Sequence, residues 1–173
     1  MKKIIPQTLL TLPILATGLQ AQEKQTPPNL VFIMADQYRG DAMGCIGKEP
    51  VQTPSLDQLA AEGINFTNAV SGYPVSSPAR GMLMTGMYPI SSKVTGNCNS
   101  ATAPYGVELP QDARCWSDVL KDQGYNTGYI GKWHLDAPYK PYVDTYNNRG
   151  KVAWNEWCPP ERRHGFEHWI AYG

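Results

Sequence analysis

Hydrophobic and polar positions alternate along the chain in a way that predicts a series of strands and helices. An almost unbroken apolar run over residues 29–35 predicts a strand buried on both faces, as in parallel sheets. Residues 64–70 alternate apolar and polar positions and predict a second strand, and residues 126–130 predict a third. Because helical segments lie between these strands, the pattern favours an α/β fold.

Two helices are marked by their boundary residues. Thr53 and Pro54 stand at the start of an amphipathic segment, and Gly63 stands at its end, which predicts a helix through residue 62. Residues 116–123 form a second amphipathic segment and are followed by another glycine. Both segments are therefore predicted to be helices that bury one apolar face.

Residues 91–110 are rich in Ser, Asn, Thr, Gly and Pro, and this composition predicts a surface loop. The loop contains Cys98, and the other cysteines are Cys45, Cys115 and Cys158. Their spacing includes no C-x-x-C pair, which argues against a zinc or thioredoxin-like site. A disulfide between Cys98 and Cys115 is conceivable in an exported protein.

The first 21 residues have the pattern of a secretory signal peptide. Lys2 and Lys3 precede an apolar run over 4–19, which prolines interrupt and which is too short to span a bilayer stably. We therefore predict a signal peptide over 1–21 and a mature chain over 22–173, located in the periplasm or secreted, with no stable membrane anchor.

The charge of the chain is balanced, with 15 basic and 15 acidic residues. Removal of the signal peptide, which contains Lys2 and Lys3, leaves 13 basic residues against 15 acidic ones. This balance excludes nucleic-acid binding that is driven by bulk positive charge.

The most specific motif of the sequence is the stretch over 74–86, which reads Pro-Val-Ser-Ser-Pro-Ala-Arg-Gly-Met-Leu-Met-Thr-Gly. Ser76, Pro78 and Arg80 form an S-x-P-x-R pattern within it. A Ser-Pro pair favours the start of a helix. The hydroxyl of Ser76 is therefore expected at a helix N-terminus, where negative charge is stabilised.

Two further polar motifs follow predicted strands. Residues 36–41 read Asp-Gln-Tyr-Arg-Gly-Asp and follow the first strand, and residues 131–135 read Gly-Lys-Trp-His-Leu and follow the third. Polar groups beyond the carboxyl ends of parallel strands line the ligand crevice of α/β sheets. Taken singly, the first motif also fits a solvated turn, and the lysine and histidine of the second also fit structural roles.

Taken together and in this order, the three motifs resemble those of the type I, formylglycine-dependent sulfatases of the serine type, which belong to the alkaline phosphatase superfamily. The resemblance extends over 29–169 and includes Arg-His-Gly-Phe-Glu-His-Trp over 163–169. It implies an α/β fold, the N-terminal part of an alkaline-phosphatase-like, mostly parallel sheet flanked by helices. Family members are several hundred residues long, so 22–173 is expected to be an incomplete catalytic domain, either a fragment or a truncated gene product.

The resemblance also implies roles for four residues. Ser76 is the residue expected to be oxidised to formylglycine by a radical S-adenosylmethionine maturating enzyme. Arg80 is expected to anchor the modified residue, Lys132 to hold sulfate oxygens, and His134 to hydrogen-bond the formylglycine hydroxyl. Lys132 and His134 are thus also the expected substrate-binding residues.

A metal site is implied by the same resemblance. Asp36, Gln37 and Ser76 are the expected ligands of calcium, with magnesium as the alternative ion. Gln37 replaces the commoner second aspartate but still offers a carbonyl oxygen, which calcium accepts. His164 and His168 are weaker candidates for substrate contact.

The function implied is that of a sulfuric ester hydrolase, which releases sulfate from a sulfated carbohydrate or an aryl sulfate through a formylglycine derived from Ser76. One alternative is a phosphonate or phosphate monoester hydrolase of the same superfamily, which shares the formylglycine signature. Another is an inactive, truncated fragment that binds sulfated glycan without releasing sulfate. No nucleic-acid partner is expected.

Overall fold

The computed structural model describes residues 27–173, so the predicted signal peptide lies outside the described residues. Its elements in chain order are α1 Pro54–Glu62, α2 Ser76–Thr85, α3 Pro89–Ser92, α4 Trp116–Asp122, β1 Gly128–Lys132 and β2 His168–Tyr172. Short 3-10 turns occur at Gly44–Ile46, Ala103–Tyr105, Tyr146–Asn148 and Pro160–Arg162. None of the helices in this described part is long and apolar enough to cross a membrane.

The two strands form a parallel pair. Gly128 of β1 lies opposite His168 of β2, and the register continues to Lys132 opposite Tyr172. The backbone N–H of Trp133 then donates to the carbonyl oxygen of Tyr172 at 2.7 Å, which extends the pairing beyond the end of β1. The two strands therefore hold the residues that follow β1 in a fixed direction.

Aromatic side chains of the strands and of the segment between them form the centre of the core. The ring of Tyr129 lies 5.2 Å from the ring centroids of Trp133, Phe166 and Trp169. The ring of Trp116 in α4 packs edge-on against Phe166 at 5.7 Å. Such contacts stabilise the fold beyond the area that they bury. The other buried members of this core are Met84, Val94, Cys98, Ala103, Leu109, Cys115, Leu135, Ala137 and Cys158.

Several sequence predictions of secondary structure are confirmed. Helix α1 ends where Gly63 donates its N–H to the carbonyl oxygen of Leu59 at 2.9 Å. Helix α4 ends one residue before the predicted end, and β1 begins two residues after the predicted start. Helix α2 begins at Ser76 as predicted and ends before Gly86, whose φ of 69° is unstrained in glycine.

Two predicted strands are absent from the structure. Residues 29–35 and 64–70 lie in neither a helix nor a strand, and Val31 and Ile33 are more than four-fifths exposed. An apolar run alone does not make a strand, because a strand also needs a neighbouring backbone to complete its hydrogen bonds. Among the described residues, the only such ladder joins β1 and β2.

The segment 91–110 was predicted as a surface loop, and this prediction is wrong for much of its length. Val94, Cys98 and Leu109 are almost completely buried. The polar side chains of the segment serve its own backbone: the amide oxygen of Asn99 accepts the N–H groups of residues 101 and 102 at 2.9 and 3.2 Å. The segment is therefore polar in composition although several of its side chains pack in the core.

All four cysteines are free thiols, so the conceivable bridge between Cys98 and Cys115 is not formed. Burial raises the pKa of both thiols to about 12. These two side chains therefore act as small apolar groups of the core.

Candidate active site

The candidate site lies where the start of α2 approaches the end of β1. Ser76 is the first residue of α2, and Lys132 is the last residue of β1. The chain turns sharply after β1, so that Nδ1 of His134 lies 3.1 Å from Oγ of Ser76. The structure thus brings together two motifs that are 58 residues apart in the sequence.

The other ring nitrogen of His134 fixes the tautomer. Nε2 lies 3.2 Å from the carbonyl oxygen of Cys98. A carbonyl oxygen only accepts hydrogen bonds, so Nε2 carries the proton and Nδ1 is left to accept one from the hydroxyl of Ser76. Burial, reinforced by the positive charge of Lys132, lowers the pKa of His134 to about 4. The imidazole is therefore neutral at neutral pH, and its Nδ1 is free to accept a hydrogen bond from Ser76.

The backbone of His134 has a φ of 56°, in the left-handed region that residues other than glycine seldom adopt. Gln37 is in the same region with a φ of 53°. Such conformations persist only where the surrounding structure determines them, and they concentrate at functional sites. Two of the six predicted site residues are held in this way.

Arg80 fixes the end of β1 against α2. One turn of helix after Ser76, its guanidinium is buried and donates from Nη1 to the carbonyl oxygen of Lys132 at 2.6 Å and to the hydroxyl of Tyr129 at 3.4 Å. The hydroxyl of Tyr129 donates to the same carbonyl oxygen at 2.5 Å. These bonds set the direction from which the side chain of Lys132 leaves the strand.

Asp36 lies beside both cations of the site. Its carboxylate accepts a hydrogen bond from Nζ of Lys132 at 2.8 Å and lies 3.8 Å from Nη2 of Arg80. The hydrogen bond from Lys132 and the positive charges of Lys132 and Arg80 lower the pKa of Asp36, although burial opposes the shift. At neutral pH the site holds two cations, one carboxylate and a neutral imidazole, a net charge that favours an entering anion.

The residues predicted as metal ligands fit calcium by the type of their donor atoms. Asp36 offers a carboxylate, Gln37 an amide carbonyl and Ser76 a hydroxyl, all of them hard oxygen donors. The carboxylate of Asp36 is half exposed, so an ion has access to it. Three residues supply only part of the roughly six to eight oxygens that calcium takes.

A second layer of residues behind the site was missed by sequence reasoning. Ser77 is fully buried, and its hydroxyl accepts the N–H of Cys98 at 3.0 Å, while its own N–H donates to the side chain of Asn97 at 3.1 Å. This holds the carbonyl oxygen of Cys98 in place for His134. No spacing rule joins Ser77 to a segment that was predicted as a surface loop.

The two weaker histidine candidates occupy different surroundings. The imidazole of His164 is buried, stacks on Trp133 with centroids 6.1 Å apart, and has Nδ1 3.0 Å from the carbonyl oxygen of Ala113. His168 is exposed at the start of β2. The structure thus gives His164 a packing role and leaves His168 at the surface.

Potential metal-ligating atoms of Cys115, Asp118 and His164 lie within 4.8 Å of one another. Asp118 accepts the N–H of Cys115 at 2.9 Å, and the two residues form the capping box of α4. Cys115 and Asp118 thus already serve as the cap of α4, and we assign these two residues to the start of that helix.

The described residues have helices beside a small parallel sheet, and their structural neighbours identify them as the N-terminal part of an alkaline-phosphatase-like α/β domain. Within that class, the sulfatase family model matches residues 28–173. The chain belongs to the sulfatase family.

Curated relatives carry sulfatase names. The chain is 41% identical to an endo-4-O-sulfatase of Bacteroides thetaiotaomicron, with 89% of this chain and 33% of the relative covered. It is 39% identical to an ulvan-active sulfatase of Formosa agariphila, with 97% of this chain and 29% of the relative covered.

A solved structure gives the same picture. The crystal structure of the yidJ protein of Bacteroides fragilis, described as a candidate sulfatase, is 90% identical to this chain with a TM-score of 0.85. The match covers 90% of this chain and 34% of that protein. The chain thus spans about a third of the length of the proteins that it matches.

Proposed function

We propose that the protein hydrolyses sulfate esters of a sulfated carbohydrate or an aryl sulfate, through a formylglycine formed from Ser76. The observation that carries the proposal is the 3.1 Å approach of the Ser76 hydroxyl to a neutral His134, with Arg80 and Lys132 in the same cluster. A sulfate ester is an anion, and this cluster has an excess of positive charge. The names of the relatives support a sulfated carbohydrate as the substrate class.

Each residue then has a chemical task. Lys132 binds the sulfate oxygens from the end of β1, and Arg80 keeps the lysine in position by holding the backbone carbonyl of that residue. Nδ1 of His134 accepts a hydrogen bond from the hydroxyl at position 76 and so orients that group, since the imidazole is neutral and within hydrogen-bond distance. The N–H at Nε2 donates a hydrogen bond to the carbonyl oxygen of Cys98, and this bond keeps the imidazole ring oriented.

The modified residue and the metal supply the remaining chemistry. A hydrated aldehyde at position 76 offers two hydroxyl groups. The oxygen of the first attacks sulfur and displaces the alcohol, which leaves with a proton. The second hydroxyl then loses its proton as the aldehyde forms again and the C–O bond to sulfate breaks, a route that a serine, with one hydroxyl, lacks. Asp36, Gln37 and Ser76 would hold calcium, which lowers the pKa of a bound hydroxyl and neutralises sulfate charge. The partners we propose are the sulfated substrate and a radical S-adenosylmethionine maturating enzyme, and the location we propose is the periplasm or the exterior of the cell.

The test is sulfate release by the full-length protein, produced together with the maturating enzyme. A tryptic peptide that contains residue 76 should be lighter than the unmodified peptide by about two mass units, through loss of two hydrogens. Ser76→Ala should abolish sulfate release. Turnover by Ser76→Ala, or by protein that carries only unmodified Ser76, would show that the mechanism is wrong.

The same assay distinguishes the proposed sulfatase from the alternative, a phosphonate or phosphate monoester hydrolase. Rates on an aryl sulfate and on a phosphate or phosphonate ester with the same leaving group are compared for one preparation. A higher kcat/KM for the sulfate supports the proposal, and a higher value for the phosphorus ester supports the alternative.

A further inference from the structure

The side chain of Asn148 connects the two ends of the segment between Val143 and Asn155. Nδ2 of Asn148 donates to the carbonyl oxygens of Val143 and Asn155, both at 2.8 Å. Its Oδ1 accepts the N–H groups of Trp154 and Asn155, also at 2.8 Å. These four bonds use the two donors and two lone pairs of the amide, and they fix the loop around its short 3-10 turn Tyr146–Asn148.

An open pocket with a volume of about 560 Å³ lies in this loop. Tyr146 and Trp154 contribute aromatic surface to it, with exposed fractions of 88% and 39%. The volume lies within the range of small-molecule sites, and an aromatic face beside polar groups suits the apolar face and hydroxyl rim of a sugar ring.

The charged groups of the pocket are basic. Arg149 and Lys151 line it, and no acidic residue is among the described residues that do so. Arg149 pairs with Asp144 at 3.1 Å, but both side chains are more than two-thirds exposed, so the pair is weak and can yield to a ligand anion. The pocket is therefore suited to an acidic sugar.

The pocket is connected to the candidate active site. The ring of Trp154 lies 6.1 Å from the imidazole of His134. The preceding residue, Ala153, is buried and exchanges two hydrogen bonds with Ser100, at 2.8 and 2.9 Å. Ser100 lies two residues after Cys98, whose carbonyl oxygen orients the same imidazole. One indole ring thus borders both the pocket and the catalytic histidine.

We propose that this pocket binds an acidic sugar residue of a glycan next to the residue whose sulfate ester enters at Ser76. Trp154 and Tyr146 provide the aromatic surface, and Lys151 and Arg149 bind the carboxylate or sulfate of that neighbouring sugar. The proposal rests on the proposed function, because it makes an anionic oligosaccharide the preferred substrate over a small sulfate ester.

The experiment first measures binding by calorimetry on the full-length protein with Ser76→Ala, so that no ligand is consumed. The probes are chondroitin sulfate, heparin and ulvan oligosaccharides, with maltohexaose as a neutral control. Tyr146→Ala and Lys151→Met should each weaken binding of the tightest anionic probe roughly tenfold. The matched controls Tyr105→Ala and Lys140→Met change exposed side chains outside the pocket and should bind that probe like the parent.

The second measurement is turnover with Ser76 intact. The ratio of kcat/KM for the oligosaccharide to kcat/KM for an aryl sulfate should fall in Tyr146→Ala and Lys151→Met and stay constant in the two controls. If no anionic probe binds, or if the pocket and control variants behave alike, the pocket proposal is wrong. If binding depends on Tyr146 and Lys151 but no sulfate is released from either substrate, the pocket stands and the proposed function fails.

Discussion

Ser76 and Ser77 are neighbours in α2 with opposite expected phenotypes, and exchanging each for alanine separates chemistry from stability. Ser76→Ala should abolish sulfate release and change the free energy of unfolding little. Ser77→Ala should retain most of the activity, measured well below the unfolding transition, and lower the free energy of unfolding by about 1–3 kcal/mol.

The size of the second effect follows from burial. Ser77 is 0% exposed, and its hydroxyl accepts the N–H of Cys98, which is equally buried. Alanine would leave this amide without a partner in a place that water does not reach, at a cost of about 1–3 kcal/mol. Ser76 is only half-buried and water can replace its hydroxyl, so its loss should cost about 1 kcal/mol or less.

Urea unfolding of the full-length wild-type protein and both variants, followed by tryptophan fluorescence, gives the free energies. The expected order of midpoints is wild type, then Ser76→Ala close below it, then Ser77→Ala clearly lower. An unchanged midpoint for Ser77→Ala, or a larger loss for Ser76→Ala, would contradict the hydrogen-bond assignment. Loss of activity in Ser77→Ala at full folding would show that the site depends on the contact of Ser77 with Cys98, which orients His134.

Two further predictions concern the core. Gly165→Ala should destabilise the protein by several kcal/mol, because the φ of Gly165 is 82° and the new Cβ would lie 2.8 Å from the backbone of Asp118. The control is Gly106→Ala, where φ is 66° and the new Cβ would meet no other atom. This substitution should cost about 1 kcal/mol in the same unfolding assay. Burial lowers the pKa of His164 below 6.5, so the unfolded chain takes up a proton that the folded chain lacks, and the free energy of unfolding should fall as the pH falls below 6.5. His164→Gln should make that fall shallower, and an identical pH profile for the variant would contradict the reasoning.

The sequence was informative where a local rule decides the structure. The start of α2 at Ser76 was predicted from the Ser-Pro pair, although the N-cap is Val75 and no side chain caps the helix. The position of His134 beyond a strand was predicted from the order of the elements. The match to the sulfatase family model and to a solved sulfatase structure confirmed the fold class that these motifs indicated.

The contacts that tune the site follow no local rule. The hydrogen bond from Lys132 to Asp36 and the bond from Arg80 to the carbonyl of residue 132 join segments whose approach depends on the whole fold. The burial of Cys98 was hidden by the polar residues around it, which bond to their own backbone. A prediction from composition counts these polar residues and does not detect the apolar side chains that pack in the core.

The separation of Ser76 from His134 along the chain has a consequence for biosynthesis. The two residues are 58 positions apart, so the ribosome adds the imidazole long after the serine. At about 5–20 residues per second, this interval is roughly 3–12 s. During that time the hydroxyl of Ser76 has no histidine beside it, and neither the end of β1 nor the side chain of Lys132 has been made. The modifying enzyme that we propose would therefore meet Ser76 before the residues that later surround it have been made.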